Sequence, residues 1–380
     1  MIGAVAERRD FAVLLALAAV DAASYSVIAP VLPQISRQLH AAPGKIGILA
    51  AAFAAASILG FAVAGRFIRR TTTLRILGVS LLVMAVGSLG FIVASGWAAY
   101  LIARAAMGFA SGGLWIGIAF ATLERWPGQE YVRLSRVLAA YSVGGLAGPA
   151  LGAIGGIHAP FAAYLVLALL GVAAVATVSP ARTGHRFEGD FAALRQRGFW
   201  LAAGGIVFAM LALGVVEGVL PLHLAAHLSQ TEIGGLYVGM SLVVAVSAGA
   251  SGSLRPVPIL LASTVPVVVG LALVGATSSV TIWVLALALA GIGVGAAYTG
   301  SLGVLIDTVE PQRIVTAMVI WSQLALVGYL VGPLGGGGLA QAFGFRTIGL
   351  VPLAAALLLV VAYAGVARGP RERGPRTQRP

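Results

Sequence analysis

Three ionisable side chains, Asp21, Arg104 and Glu217, lie inside long apolar segments of this sequence. A charged side chain at the centre of a membrane-spanning helix costs about 2.5–3.5 kcal/mol on insertion scales, so residues of this kind are rare and usually functional. Desolvation opposes ionisation of a buried carboxyl, and a nearby cation favours it. Between these influences Asp21 could bind and release a proton near neutral pH. The structural alternative is an ion pair that locks two helices together.

Arg104 is the expected partner of Asp21 and would adjust its affinity for a proton. Gly108, Ser111 and Trp115 follow Arg104 on the same helical stripe. A stripe of small, polar and aromatic residues suits the wall of a cavity. The alternative is that the long arginine side chain snorkels to the membrane surface.

Glu217 could bind a proton or a cationic group of a substrate. The alternative is a glutamate near the outer interface that faces water. Aromatic side chains in the apolar segments are further candidates to line a substrate site, although most such residues pack helices: Tyr25, Trp115, Tyr141, Phe208, Tyr298 and Trp321.

Metal, cofactor and enzyme chemistry is not predicted. The chain has no cysteine, and His223 and His227 have no third ligand nearby, so we expect neither a metal site nor a cofactor. The sequence also lacks an ATP-binding loop and the common hydrolase motifs.

The composition indicates that most of this chain is surrounded by lipid. Of its 380 residues 59% are hydrophobic and 9% are charged, against about 25% charged in soluble domains. Its mean hydropathy is +1.00. These values exclude a soluble enzyme, a disordered chain and a secreted disulfide scaffold. With about 20 residues per span, the sequence predicts an all-α membrane protein with twelve transmembrane helices.

A polar stretch divides the predicted spans six and six. We expect an N-terminal bundle at 1–178, a cytoplasmic linker at 179–198 and a C-terminal bundle at 199–367. Residues 368–380 are rich in Arg, Gly and Pro, which predicts a disordered basic tail.

Three patterns recur in the two halves in the same order, at offsets of 188, 183 and 184 residues. These are Val31-Leu32-Pro33 with Val219-Leu220-Pro221, Gly108 and Gly112 with Gly291 and Gly295, and Gly144, Gly148, Pro149 and Gly152 with Gly328, Gly332, Pro333 and Gly336. Repeated six-span halves are typical of transporters, whose substrate site lies at the repeat interface. The glycines allow close helix packing and the prolines bend the helices, so the third pattern predicts either packing alone or a role in gating.

Positive charge is concentrated on one side of the predicted topology. With the N-terminus inside, 20 of the 24 Lys and Arg residues fall in inner segments, whereas only Arg37, Lys45 and Arg346 fall in outer loops. This bias predicts that both termini are cytoplasmic. It also explains the net charge of +12 without nucleic acid as a partner.

These patterns resemble the major facilitator superfamily, and within it the drug:proton antiporter-1 group. Asp21 with Pro30-Val31-Leu32-Pro33 resembles the group's first span, and Arg104 with Gly108 resembles its fourth-span motif. In the group these motifs are linked to proton coupling. Gly144, Gly148, Pro149 and Gly152 resemble the fifth-span motif of exporters, with Ala153 in place of its final glycine.

Two further segments modify this resemblance. A second resemblance, to the vesicular amine transporters, rests on the segment from Phe208 through Glu217 to Pro221 and on Gly328-Tyr329, Gly332-Pro333 and Gly344-Phe345. In those transporters the seventh-span glutamate contributes to amine binding. In the loop between spans two and three, Gly65 and Arg70 fit the superfamily motif, but Arg69 replaces its Asp. In the family that Asp helps to latch one conformational state, so its loss implies altered gating.

The resulting prediction is a monomeric, proton-coupled exporter of small lipophilic compounds, cationic or neutral, as in multidrug efflux. Its partners would be this substrate, protons and membrane lipid. One alternative is an exporter of a specific metabolite such as a sugar or amino acid, and another is a non-transporting membrane receptor or scaffold. The bias toward Ala, Gly and Arg, with a single Lys, predicts a GC-rich bacterial gene and an inner-membrane location.

Overall fold

The computed structural model describes residues 2–68, 70–179 and 191–368. Arg69, most of the predicted linker and nearly all of the predicted disordered tail lie outside these ranges. The described residues form twelve helical spans, which we number in chain order. Spans 1–6 are Ile2–Ser26 with Leu32–Leu39, Pro43–Phe67, Thr73–Val93, Trp97–Arg125, Glu130–Gly152 and His158–Ala176. Spans 7–12 are Arg197–Gly218 with Leu220–Leu224, Gln230–Ser251, Pro256–Ala262 with Thr264–Ala276, Val280–Thr308, Ile314–Phe343 and Leu350–Arg368.

Among the described helices, eleven are long and apolar enough to cross a bilayer. Span 5 is the exception, because Arg136, its glycines and Pro149 lower its hydropathy. It packs against span 1 in its own half and against span 8 in the other half. We call the side on which span 1 begins and span 12 ends the terminal face, and the other side the opposite face.

Spans 1 and 7 break at the repeated Val-Leu-Pro pattern. The first helix of span 1 ends at Ser26 and a new one begins at Leu32, after a 3-10 turn over Ala29–Val31. Span 7 breaks at Val219, directly before Leu220–Leu224. Proline has no amide hydrogen to donate to the preceding turn, so each pattern interrupts its helix. The two breaks are equivalent in the two halves.

Repeated glycines make equivalent helix contacts in the two halves. A side chain at Gly112 would clash with the backbone carbonyl of Ser57 in span 2, and one at Gly295 with that of Val244 in span 8. Span 4 therefore packs on span 2 as span 10 packs on span 8. The fold is the predicted all-α arrangement of two pseudo-symmetric six-helix bundles.

The repeated glycine–proline pattern of spans 5 and 11 also makes equivalent helix contacts in the two halves. Gly144 in span 5 leaves no room between its helix and the carbonyl of Ala19 in span 1. Gly328 in span 11 makes the corresponding approach to the carbonyl of Val207 in span 7. Each motif thus fixes a close pair of helices within one half.

Candidate functional site

A cavity of about 160 Å³ lies where the two halves meet, lined by spans 1, 2, 4, 5, 7, 8, 10 and 11. Seven of the nine residues predicted for proton coupling and substrate binding line it: Asp21, Tyr25, Trp115, Tyr141, Glu217, Tyr298 and Trp321. The lining extends toward the terminal face, since it includes Ala248, close to the end of span 8 at Ser251. The fold therefore brings acidic and aromatic groups from both halves to one chamber.

Asp21 is buried in the wall of this cavity without a fixed partner. Only 1% of its surface is exposed. Neither carboxyl oxygen accepts a hydrogen bond from any described residue, although the Ser111 hydroxyl lies beside it. A buried carboxyl that lacks partners is destabilised as an anion.

Arg104 does not pair with Asp21, which corrects the expectation from sequence. Its guanidinium donates hydrogen bonds to the carbonyl oxygens of Ser24 (3.0 Å) and Tyr25 (2.8 Å). These carbonyls end the first helix of span 1, where the chain turns toward Pro30 and no described backbone amide donates to them. A cation at a helix C-terminus is favourable, because the carbonyl dipoles point toward it.

The environment of Arg104 also excludes snorkelling. The side chain is fully buried, and its guanidinium carbon lies 4.3 Å from the centre of the Phe53 ring. Arg104 does not line the cavity. It therefore connects span 4 to the break in span 1.

Glu217 is held by a tyrosine that the sequence analysis did not select. The Tyr329 hydroxyl donates a hydrogen bond of 2.9 Å to the Glu217 carboxylate. The Tyr329 ring meets the Tyr25 ring edge-on, with centroids 5.3 Å apart, and its hydroxyl lies beside the Arg104 guanidinium. Tyr329 thus joins an acid of the C-terminal half to spans 1 and 4 of the N-terminal half.

The other aromatic candidates form pairs around the cavity. Tyr25 stacks on Tyr141 with a centroid distance of 6.1 Å, and Trp115 meets Tyr141 edge-on at 5.5 Å. Tyr298 and Trp321 make a similar edge contact at 5.3 Å. Trp115 also reaches across the halves, because its indole nitrogen donates to the Ser322 hydroxyl at 3.0 Å.

Phe208 lies outside the cavity lining, although it was predicted as a substrate contact. The cavity-facing stripe of span 7 is Ile206, Met210, Leu213 and Glu217, spaced as one face of a helix. Phe208 falls between two members of this stripe and points to another side. It is 1% exposed and belongs to the hydrophobic core.

At the opposite face the two halves are in direct contact. Pro149 of span 5 packs against Gly234 of span 8, and Pro333 of span 11 packs against Gly47 of span 2. The two prolines are equivalent members of the repeated motif, so the motif contributes to closure as well as to packing within each half. Gly152 and Gly332 pack within their own halves, against Val27 and Leu211.

Hydrogen bonds between uncharged side chains and backbone reinforce this closure. Gln230 of span 8 donates to the carbonyl oxygens of Gly152 (2.6 Å) and Gly156 (2.9 Å) and accepts a hydrogen bond from Gln34 of span 1. We call these four residues the glutamine latch. Nearby, the amide of Gly44 donates to the Gln341 side chain at 3.1 Å.

The remaining motif residues have separate positions. Gly108 packs against Phe53 as part of the contact between spans 4 and 2, and Gly148 packs against Ser26 of span 1. Gly65 approaches Ile116 of span 4 near the terminal face. Arg70 is exposed in the turn between spans 2 and 3.

Sequence reasoning missed Tyr329 and the glutamine latch. Tyr329 was available from sequence as part of Gly328-Tyr329 in the resemblance to vesicular amine transporters, but it was not selected as a site residue. Nothing in the sequence distinguishes Gln230 from other polar residues at span ends, because its partners lie on distant segments.

These features define a class of protein: a multi-pass membrane protein with two equivalent halves, a chamber between them that acidic and aromatic groups line, and closure at one face. The sequence model of the Major Facilitator Superfamily matches residues 14–255 and 202–380. The chain belongs to this superfamily and is a transporter, not an enzyme.

Solved structures agree with this fold. A bacterial homologue of the human lysosomal transporter Spinster, inward-facing and unoccupied, superposes with a TM-score of 0.77 at 14% identity, covering 94% of this chain and 96% of its own. The nucleoside transporter NupG gives 0.72 at 14% identity, with 95% and 100% coverage. The human organic anion transporter MFSD10 gives 0.61 at 16% identity, with 93% and 99% coverage. No curated protein sequence matches the chain.

Proposed function

We propose that this transporter is a drug:proton antiporter, which exports small lipophilic compounds, cationic or neutral, in exchange for protons. The observation that carries the proposal is that two buried carboxyls, Asp21 and Glu217, line one cavity at the junction of the halves. Exchange requires only that a proton and a substrate compete for the same chamber.

Asp21 is the proposed proton carrier. Its carboxyl borders the cavity and has no hydrogen-bond partner among the described residues. The carboxyl can therefore gain or lose a proton without breaking a hydrogen bond to the described residues. Arg104 would act on this site indirectly, by holding the end of the helix that carries Asp21.

Glu217 and the aromatic walls are the proposed substrate contacts. The Tyr329 hydroxyl fixes the orientation of Glu217, and aromatic faces attract cations as well as apolar groups. Asp21, Arg104 and Glu217 sum to a charge of −1 when ionised, which favours cationic or neutral cargo over anions.

The transport cycle would be a rocking of residues 1–178 against residues 199–367. The positive-charge bias supports cytoplasmic termini in a bacterial inner membrane. With that orientation, the closed opposite face is periplasmic and the structure represents an inward-facing state. The protein would work as a monomer, since each chain provides a complete cavity.

Proton exchange in proteoliposomes tests the proposal. The purified protein is reconstituted with a pH-sensitive dye inside, and proton flux is recorded after addition of a lipophilic amine. We expect flux for the parent and for Asp307→Asn, which alters an exposed aspartate outside the cavity, but not for Asp21→Asn. Equal flux from Asp21→Asn and the parent would remove Asp21 from the mechanism.

Export of a specific metabolite is the second candidate. It is favoured by hydroxyl groups in the lining, including Ser57, Ser142 and Ser241, and by the buried Gln323 side-chain oxygen, which lacks a partner. A substrate rich in hydrogen-bonding groups would satisfy them. A panel of sugars, amino acids and lipophilic amines in the same proteoliposomes separates the two candidates.

A further inference from the structure

We infer that the turn between spans 2 and 3 is a binding site for the phosphate headgroup of an anionic phospholipid. Ten residues from Arg66 to Arg75 contain four arginines and no acidic residue. Arg66, Arg70 and Arg75 are described, and all three are exposed. The inference concerns the terminal face and does not depend on the transported substrate.

The three described arginines have no protein partner. None of their guanidinium groups forms an ion pair or hydrogen bond within the described part of the chain. By contrast, Arg9 and Arg133 on the same face pair with Asp10 and Glu7. An unpaired arginine cluster attracts anions, because each planar guanidinium can donate two parallel hydrogen bonds to phosphate oxygens.

The geometry of the turn places this cluster at the depth of lipid headgroups. Span 2 ends at Phe67 and span 3 begins at Thr73, so the connecting residues lie at the membrane surface. Hydrogen bonds hold the described residues of the turn: the amide of Arg70 donates to the Phe67 carbonyl at 2.8 Å, and the Thr72 hydroxyl caps span 3. The backbone at Arg66, Arg70 and Arg75 is therefore held at the end of span 2 and the start of span 3.

Apolar surface continues from the cluster along span 2. An open cleft of about 540 Å³ is bordered by Val63, Gly65, Arg66, Phe67 and Arg70. Phe67 is 52% exposed, and Leu59, two turns deeper in the membrane, is 58% exposed. A headgroup in the cleft could thus bond the arginines while its acyl chains contact span 2. This continuity with the acyl region favours a lipid over a soluble anion.

Lipid selectivity of the purified full-length protein tests the inference. The protein is reconstituted in phosphatidylcholine vesicles that contain spin-labelled phosphatidylglycerol or spin-labelled phosphatidylcholine. The fraction of motionally restricted lipid gives the relative affinity. We expect a preference for phosphatidylglycerol that falls roughly fivefold for each arginine removed in Arg66→Gln/Arg70→Gln.

Two further variants keep the test decisive. Arg136→Gln/Arg255→Gln removes the same charge from exposed, separate positions and should retain the preference. Arg66→Lys/Arg70→Lys should retain most of it and guards against misfolding of the glutamine variant. The inference is wrong if the glutamine variant keeps the full preference, if the control loses as much, or if inorganic phosphate displaces the labelled lipid at equal concentration.

Discussion

Tyr329 donates a hydrogen bond of 2.9 Å to Glu217 and packs edge-on against Tyr25 of the other half at 5.3 Å. The side chain that orients a buried acid is therefore also a contact between the two halves. Any rocking that separates span 11 from span 1 must alter the environment of Glu217. The fold thereby connects the environment of an acid that lines the cavity to the relative position of the two halves.

Replacing Tyr329 by phenylalanine should weaken substrate binding with little effect on folding. The ring contact with Tyr25 is retained, but Glu217 loses its hydrogen bond, and such a bond to a charged group is worth about 1.5–3 kcal/mol. We expect KM for a lipophilic amine in proteoliposomes to rise about tenfold or more. Tyr298→Phe is the matched control, because Tyr298 lines the same cavity and should shift KM far less. Equal shifts in both variants would exclude a specific role for the Tyr329 hydroxyl.

Arg104 should stabilise the fold through its hydrogen bonds to the end of the first helix of span 1 and not through an interaction with Asp21. Its two hydrogen bonds satisfy the carbonyls of Ser24 and Tyr25 at the helix end, and removing the guanidinium leaves these buried acceptors unpaired. Arg104→Met should lower the unfolding temperature in detergent by several degrees, whereas Asp21→Asn should leave it unchanged or raise it. Arg104→Lys should recover part of the loss. If the effects of Arg104→Met and Asp21→Asn are reversed, the guanidinium does not stabilise the helix end.

Glycine-to-alanine changes should distinguish the two faces of span 5. A methyl group at Gly144 would overlap the Ala19 carbonyl, whereas one at Gly145 would meet only the Tyr25 hydroxyl at 3.5 Å. Overpacking typically costs about 1–3 kcal/mol, so Gly144→Ala should lower the unfolding temperature and Gly145→Ala should not. Thermal denaturation followed by size-exclusion chromatography provides the measurement. If both variants lower the unfolding temperature by a similar amount, the close contact between Gly144 and span 1 is not the cause of the loss.

Breaking the glutamine latch should shift the conformational equilibrium toward opening at the opposite face. Gln230→Ala removes its hydrogen bonds to Gln34, Gly152 and Gly156. Since the chain has no cysteine, spin labels can be placed on cysteines at positions 45 and 227 and their distance distribution measured by pulsed electron paramagnetic resonance. We expect a larger population at long distance.

A hydrogen bond within one half supplies the control for this measurement. Gln38 accepts from the Tyr100 hydroxyl at 3.2 Å, and both residues belong to the N-terminal half. Gln38→Ala should therefore leave the distance distribution unchanged. An unaltered distribution in Gln230→Ala would show that the glutamine latch does not keep this face closed.

The sequence by itself determined the membrane class, the twelve spans and the repeat, because these follow from local hydropathy and spacing along the chain. Asp21 and Glu217 could also be selected from sequence, since charge inside an apolar span is visible without knowing its neighbours. The repeated Val-Leu-Pro and Gly-Pro patterns marked the helix breaks and close contacts, because proline and glycine act on the backbone where they stand.

Tertiary structure alone decided which groups meet. Arg104 was expected to pair with Asp21, but packing of span 4 beside the break in span 1 offered it two unpaired carbonyls instead. Phe208 was assigned to the cavity on residue type, whereas the rotation of span 7 turns it into the core. Tyr329 and Gln230 acquire their roles from partners more than 70 residues away. Such pairings depend on the rotation and crossing of helices, which are set by packing over the whole molecule and not by any local pattern.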